Sequence, residues 1–544
     1  MKNENLYAQI ESHFPRDLGV PFIETPDGLI YSWRDLHNAS GRIAGWLKSL
    51  GLERDADGFP PRVAAQVEKS PEALILYLAT LRAGCAFVPL NTAYQKTELD
   101  YFLRDAAPAV FVCAPQRHAE LASLATAAGV RHVVTLGEER NGTLLEAAAP
   151  FSDAFSTAPR LASDLAAILY TSGTTGRAKG AMLSHGNLSS NAAVLDDFWG
   201  FKEEREAGGQ DVLLHALPLF HVHGLFVASH AALLCGGEMI FLPKFDARQI
   251  TKCLPRSTVF MGVPTYYTRL LAETGFDRHA CRNMRLFVVG SAPLAVETHV
   301  EFQRRTGQYI VERYGMSETL MLASNPYFGI ASRDRIAGTV GVPLPGVSVR
   351  VVNDAGARCA VGEIGNVEVR GPNVFSSYWR MPEKTSDEFT ADGWFKTGDV
   401  GHFGAAPGGA ARPDHYLSLV GRSKDLIICG GYNVYPKEIE GYLAEVPGVA
   451  ESAVIGLPHP DFGEVVAAVV VAAHDAALGE TPLIAGLKSR IANYKVPKRV
   501  WIVDELPRNA MGKVQKNVLR ERYRDAFDPL GDRPCSALSP TISN

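Results

Sequence analysis

The chain has 544 residues, more than one hydrophobic core normally supports, so at least two domains are expected. A hydrophobic content of 46% excludes wholesale disorder, and a net charge of -5 with scattered lysines and arginines excludes a general affinity for nucleic acid. The opening MKNENLYAQIESHF has no apolar signal core, and the longest apolar runs, such as Val465 to Ala473, are half a membrane span or less, so a cytoplasmic protein without a membrane partner is expected. The eight cysteines, from Cys85 to Cys535, show no CxxC pairing and read as reduced thiols rather than as disulfides or a zinc site.

From about Pro21 to Ala360, β-type runs (Arg62 to Gln66, Ala109 to Val112, His132 to Leu136, Glu238 to Leu242, Leu286 to Val289) alternate with helical patterns. That alternation predicts parallel sheets with crossover helices, an α/β class. The run Leu165 to Tyr170 predicts a buried strand, and Tyr170 to Gly180, YTSGTTGRAKG, follows at its end. Three glycines and small hydroxyl residues there leave main-chain N-H groups free to wrap a polyphosphate, although composition alone also fits a plain linker. The loop is not the common P-loop, because Gly180 follows Lys179 where that pattern needs Ser or Thr. A helix is predicted from Pro264 to Leu271, with Thr265 and Arg269 one turn apart on one face. A second glycine-bearing loop, Gly290-Ser291-Ala292-Pro293, follows the strand Leu286 to Val289, and the turn Glu312 to Thr319, ERYGMSET, combines aromatic, glycine, hydroxyl and carboxylate. His221 and His223 share a face if extended, yet no third ligand lies near, so zinc is disfavoured.

After Gly346 short strands with glycine turns (Val349 to Val352, Gly365 to Val369, Tyr416 to Val420) predict a β-rich lobe, followed by a domain border near Gly421 and a compact α+β unit with a helix between Pro436 and Pro447. The expected division is 1–423 for the large domain, 424–525 for the small one and 526–544 for a flexible tail.

Taken together, YTSGTTGRAKG, LPLFHVHG, GSAP, ERYGMSET, TGD, GRSKDLIICGGYNVYP and PRNAMGKVQK resemble the acyl-adenylate-forming superfamily of acyl-CoA synthetases, adenylation domains and luciferases, in order and over nearly the whole chain. MGVPTYYTRLL, FLPKFD and GPNVFSSYWRMPEKT are most similar to its malonate-activating members. The resemblance implies a large N-terminal domain with two parallel-type sheets plus a β-rich lobe, and a small mobile C-terminal domain. It implies ATP-dependent joining of malonate, with methylmalonate as a further acid, to CoA through an acyl-adenylate, releasing AMP and pyrophosphate, with Mg²⁺ as cofactor. The partners implied are small molecules only, for a monomer or weak homo-oligomer.

Carried over residue by residue, the resemblance implies that Thr171, Ser172, Gly173, Thr174, Thr175, Gly176 and Lys179 cradle pyrophosphate, with Thr174 also near the metal. Gly290, Ser291, Ala292, Glu312, Arg313, Tyr314, Gly315, Ser317 and Thr319 line the nucleotide, Tyr314 against adenine, while Glu318 holds Mg²⁺. Asp399 and Arg422 fix the ribose, and Lys513 supplies adenylation charge. His221 gates the acyl pocket, which Ser291 and Met316 border. Lys424 is the hinge, and Gly430, Gly431 and Tyr432 line the thiol tunnel.

Malonate carries a second carboxylate whose burial needs a cation, ideally an arginine fork. Arg269 is the expected residue, since the resemblance places the acyl pocket beside the helix that carries it, whereas Arg285 opens its strand at the end away from the loops. The competing expectations are a medium-chain, long-chain or aryl acyl-CoA ligase and a non-catalytic adenylate-binding protein.

Overall fold

The computed structural model, which describes residues 3–171, 178–201, 210–327, 335–405, 413–429, 432–459, 462–473, 476–509 and 512–527, is an α/β protein with a large N-terminal and a small C-terminal unit. The first unit comprises Met1–Glu363, Val367–Thr397 and Phe403–Ser418; the second comprises Ile364–Asn366, Gly398–His402 and Leu419–Asn544.

Two large sheets lie in the first unit. One orders His132–Thr135, Val110–Cys113, Arg62–Gln66, Ala86–Pro89, Leu165–Thr171 and Lys179–Ser184, parallel throughout except for the last, antiparallel pair. The other runs Val342–Pro343, Leu320–Ser324, Ile310–Met316, Leu286–Val289, Val259–Gly262, Val212–His215, Glu238–Phe241, Pro21–Glu24 and Ile30–Ser32, and is parallel from Ile310–Met316 to Pro21–Glu24. All five residues of Arg62–Gln66 and all four of Leu286–Val289 are buried, as continuous apolar runs in parallel sheets require. Parallel strands deliver their following loops to one edge, so GSAP, the ERYGMSET turn, LPLFHVHG and the helix Pro264–Ala272 all leave the second sheet on the same side. Ser348–Val352, Gly365–Arg370, Phe395–Phe403 and Leu417–Arg422 are ordered that way in a four-stranded sheet. Among the described residues no helix is long and apolar enough to cross a membrane.

The second unit is built on the hairpin Val449–His459 with Gly463–Ala472, in register from Glu451 opposite Val471 to His459 opposite Gly463, with a bulge between Val449 and Glu451. Its residues alternate between two cores: Val454, Val466, Ala468 and Val470 pack with Ile439, Leu443 and Leu483, whereas Ala453, Ile455, Ala467 and Val469 pack with Leu506 and Leu519. Both faces are covered, so the hairpin is apolar at successive positions. Along the free edge of Gly463–Ala472, Arg499–Val503 adds a parallel strand and Ile427–Cys429, itself paired with Tyr432–Val434, joins at Gly463.

The helix Trp33–Ser49 shows how tightly the first unit is packed. Ser32 and Asp35 form a capping box at its start. Gly41 lies in its interior, where alanine is favoured by about 1 kcal/mol. A Cβ there would meet the Asp153 carbonyl oxygen at 2.1 Å, and backbone yields less readily than a side chain. Gly41→Ala is therefore expected to lower the melting temperature by several degrees; melting at or above wild type would mean that helix propensity outweighs the clash.

Candidate functional site

The phosphate-loop candidate falls in sequence between the antiparallel strands Leu165–Thr171 and Lys179–Ser184, in which Thr171 pairs with Lys179. Ser172, Gly173, Thr174, Thr175 and Gly176 lie outside the described residues. Gly180 is explained by packing, because a Cβ would stand 2.7 Å from Ile168 Cγ2 and 3.2 Å from Trp379 Cβ. Trp379 N-H donates to the Gly180 carbonyl at 2.7 Å, lacing the segment around Tyr378 to this hairpin. Lys179 Nζ is 3.2 Å from Glu388 Oε1.

In GSAP, Ser291 adopts φ 72°, a left-handed conformation that costs a non-glycine residue and turns the chain sharply after Val289. Glu312, expected at the nucleotide, is buried and accepts from Leu294 N-H at 3.2 Å, with His299 Nε2 at 3.4 Å from its other oxygen, so its carboxylate braces this loop from beneath. Gly290 covers Arg313: a Cβ at 290 would fall 2.4 Å from Arg313 Cζ. Arg313 is 3% exposed, and its Nε and Nη2 have no hydrogen-bond partner. Burial pulls the guanidinium down to about 9. His223, whose own pKa is pushed well down by burial and then by the Arg313 charge, likewise has neither ring nitrogen bonded.

The ERYGMSET turn connects Ile310–Met316 to Leu320–Ser324. Gly315 is required there, since a Cβ would overlap the Leu320 carbonyl oxygen at 1.9 Å. Tyr314, Glu318 and Thr319 are buried, and Met316 and Ser317 half-buried. Thr319 is held through its carbonyl by Asn373 Nδ2 at 2.6 Å. Glu318 accepts from Tyr378 hydroxyl at 2.9 Å, and its carbonyl accepts from Phe375 N-H at 2.8 Å. The Tyr378 pKa is raised by burial and by the Glu318 charge, so the phenol stays a donor.

LPLFHVHG ends in a π-helical turn, Val222–Ala228, with His221 half-buried at its start and its ring edge-on to Phe220. Gly224 permits a close approach, because a Cβ would lie 2.0 Å from the Pro218 carbonyl oxygen. His215, one strand end away, has Nε2 3.1 Å from both the Gly224 carbonyl and Ser229 Oγ. With Nε2 donating, Nδ1 accepts from Lys69 Nζ at 2.8 Å, and Lys69 also donates to the His215 carbonyl at 2.7 Å. Lys69 is buried, its pKa pushed well down by desolvation. It lines a 210 Å³ cavity whose other walls include Val67, Phe87, Leu90, Phe220, Phe245 and Tyr266. This pairing has no local signal in the sequence, since 146 residues separate its members.

Arg269 is exposed. In the helix Pro264–Ala272, Tyr267 and Leu270 take the buried face, and the 3.6-residue period turns Arg269 outward. The buried guanidinium beside GSAP is instead Arg313. Arg285 forms a bidentate pair with Asp211 at 2.9 and 2.6 Å, which commits it to structure.

Within the second unit, Arg422 Nε is 3.2 Å from Asp399 Oδ1, which brings the two ribose candidates together. Lys424 is exposed in the short 3-10 turn Ser423–Asp425. Lys513 is half-buried on a tight turn closed by Arg508 opposite Val514, with Asn509 N-H donating to its carbonyl at 2.9 Å and its own N-H donating to Asn509 Oδ1 at 3.0 Å. Gly430 and Gly431 lie outside the described residues; Tyr432 pairs with Cys429.

The AMP-binding enzyme profile matches residues 18–379, and that of the AMP-binding enzyme C-terminal domain matches 438–513. A malonate–CoA ligase from Arabidopsis thaliana is 35% identical over 541 residues, covering 91% of this chain and 85% of that protein. A feruloyl-CoA synthase from Amycolatopsis sp is 36% identical, covering 91% and 94%. The crystal structure of ATP-bound MatB from Rhodopseudomonas palustris is 51% identical, with TM-score 0.90 over 97% of this chain and 100% of that one. This chain therefore belongs to the AMP-binding enzyme family and is an AMP-forming acid–thiol ligase that uses ATP and CoA.

Proposed function

We propose that the acid is malonate and that the protein forms malonyl-CoA through malonyl-AMP, with methylmalonate as a further acid. The observation that carries this reading is the Arg313 guanidinium, buried beneath Gly290 without a carboxylate partner. An unpaired buried cation calls for an anion, and the distal carboxylate of a diacid is one. The malonate ligase relative and the 51% identical structure agree with it. Arg269 remains a second candidate at the outer face of the helix whose Tyr267 feels the Arg313 charge and whose Tyr266 feels that of Arg269.

In the first half-reaction the substrate carboxylate attacks the α-phosphorus of ATP and expels pyrophosphate; in the second the CoA thiol attacks the acyl carbon and expels AMP. Negative charge builds on the phosphate oxygens in the first step. Thr171 and Lys179, at the base of the phosphate loop, and Lys513 supply donors and charge; Tyr314 and Ser291 pack about the nucleoside. Asp399 accepts from ribose hydroxyls with Arg422 orienting it. His221, with Met316, closes the acyl side.

Mg²⁺ belongs to this proposal. Among the described residues no group of three or more His, Cys, Asp or Glu could hold a metal ion. Mg²⁺ characteristically takes one or two carboxylates and completes its shell with phosphate oxygens and water, and Glu318, with one oxygen fixed by Tyr378, suits that donor set. Bound there, the ion would neutralise phosphate charge.

An aryl acid is the second reading, favoured by the apolar walls of the cavity at Lys69 and by the feruloyl-CoA synthase relative. AMP release measured across malonate, methylmalonate, acetate, octanoate and ferulate separates the two. Arg313→Ala is expected to reduce malonate kcat/KM ~10²-fold or more, the cost of leaving one buried charge unpaired, with ATP binding retained. Arg269→Ala at wild-type efficiency would leave Arg313 as sole recipient, a wild-type Arg313→Ala would pass the role to Arg269, and wild-type malonate efficiency in both would reject the diacid assignment.

Lys513→Ala is expected to slow adenylation ~10²-fold, and preformed malonyl-AMP should restore thioester formation. Lys424→Pro should leave adenylation intact and block the thiol step, because the hinge must change backbone torsions between half-reactions; unchanged rates for both halves would remove Lys424 from that role.

A further inference from the structure

Glu388 is the last residue of the helix Pro382–Glu388, where a carboxylate meets the negative end of the helix dipole. Two ammonium groups offset that placement: Lys179 Nζ at 3.2 Å and Lys384 Nζ at 3.4 Å both address Glu388 Oε1. Lys179 follows the phosphate loop directly, and its Nζ also stands 4.8 Å from the centroid of the Tyr378 ring. The hydroxyl of that ring donates to Glu318. Thr385 Oγ1, in the helix of Glu388, accepts from Tyr378 N-H at 2.9 Å and donates to the Met381 carbonyl at 2.8 Å, so the helix and the Tyr378 segment move as one piece. One continuous set of contacts thus runs from Lys384 through Glu388, Lys179 and Tyr378 to Glu318, all in the first unit.

We propose that Glu388 is a positioning residue for the ATP half-reaction: its carboxylate holds Lys179 across Tyr378 and yields it to the polyphosphate. This rests on the reading of Lys179 as a phosphate ligand. The side chains of Lys179 and Glu388 are 15% and 26% exposed, a partly solvated pair that a multiply charged anion can displace. While the pair stands, Lys179 cannot swing into solvent, and the face of Tyr378 is covered by a cation. When phosphate oxygens arrive, Glu388 competes with them for one ammonium, which weakens pyrophosphate binding and speeds its departure. The carboxylate therefore exchanges affinity for turnover.

The test uses the full chain with Mg²⁺: pyrophosphate is titrated calorimetrically into wild type, Glu388→Gln, Lys179→Met and the double variant, and KM for ATP and kcat are taken from AMP formation. Glu388→Gln should tighten pyrophosphate and lower KM for ATP about three-fold, as fits the loss of one partly exposed competitor, while kcat falls and the melting temperature holds. A merely structural role would instead raise KM and lower stability together. Lys179→Met should weaken pyrophosphate and erase the effect of Glu388→Gln in the double variant. Glu388→Asp, which keeps the charge, should stay near wild type; should the glutamine variant not fold, Glu388→Ser takes its place with the same expected tightening of pyrophosphate. Unchanged or weaker pyrophosphate binding in Glu388→Gln, or an effect that persists in the Lys179→Met background, overturns the proposal. If Lys179→Met alone leaves pyrophosphate binding unchanged, the phosphate-ligand reading fails and takes the proposal with it.

Discussion

Burying the Arg313 guanidinium without a carboxylate beside it costs several kcal/mol, and its neighbours are those that let the chain bear that cost. Gly290 has no side chain to collide with it, the adjoining Ser291 turns left-handed to carry the chain clear, and Glu312 spends its charge on Leu294 and His299 rather than on Arg313. A carboxylate from the protein would have neutralised the guanidinium permanently. Keeping Glu312 engaged elsewhere leaves the guanidinium without a carboxylate from the protein, the feature on which the malonate proposal rests.

The same economy of charge recurs around the nucleotide side. Glu318 is fixed at one oxygen by a neutral donor, Tyr378, whose raised pKa keeps it from adding a second negative charge. Lys179 is neutralised by Glu388, which a second lysine also attends. These groups are held by backbone: Gly180 and Gly315 admit Trp379 and the Leu320 carbonyl where any Cβ would collide. Mutations at these glycines would therefore disturb chemistry through geometry, without removing a charged group.

The second unit supplies different means. Its hairpin is apolar on both faces because helices cover one side and Leu506 and Leu519 the other, which makes a firm base for exposed turns. The Lys513 turn is held by its bonds with Asn509, and the Asp399–Arg422 ion pair joins neighbouring strands of the four-stranded sheet.

Much of this was legible in the sequence. β-type runs, one just after Pro61 and one just before Gly290, marked Arg62–Gln66 and Leu286–Val289 at their observed ends, and Pro264 marked the start of its helix, because these features depend on neighbours in the chain. Loop chemistry was equally local: GSAP and ERYGMSET announced strand-end turns, and the ordered motifs announced the family. Tertiary structure alone decided that Pro21–Glu24 joins a sheet beside Glu238–Phe241, that Lys69 meets His215, that Arg269 faces outward while Arg313 is buried, and that Glu388 reaches Lys179 across 209 residues. Pairings of that kind leave no periodic or local trace, since the free energy that selects them is burial and charge compensation between segments that meet only once the sheets have formed.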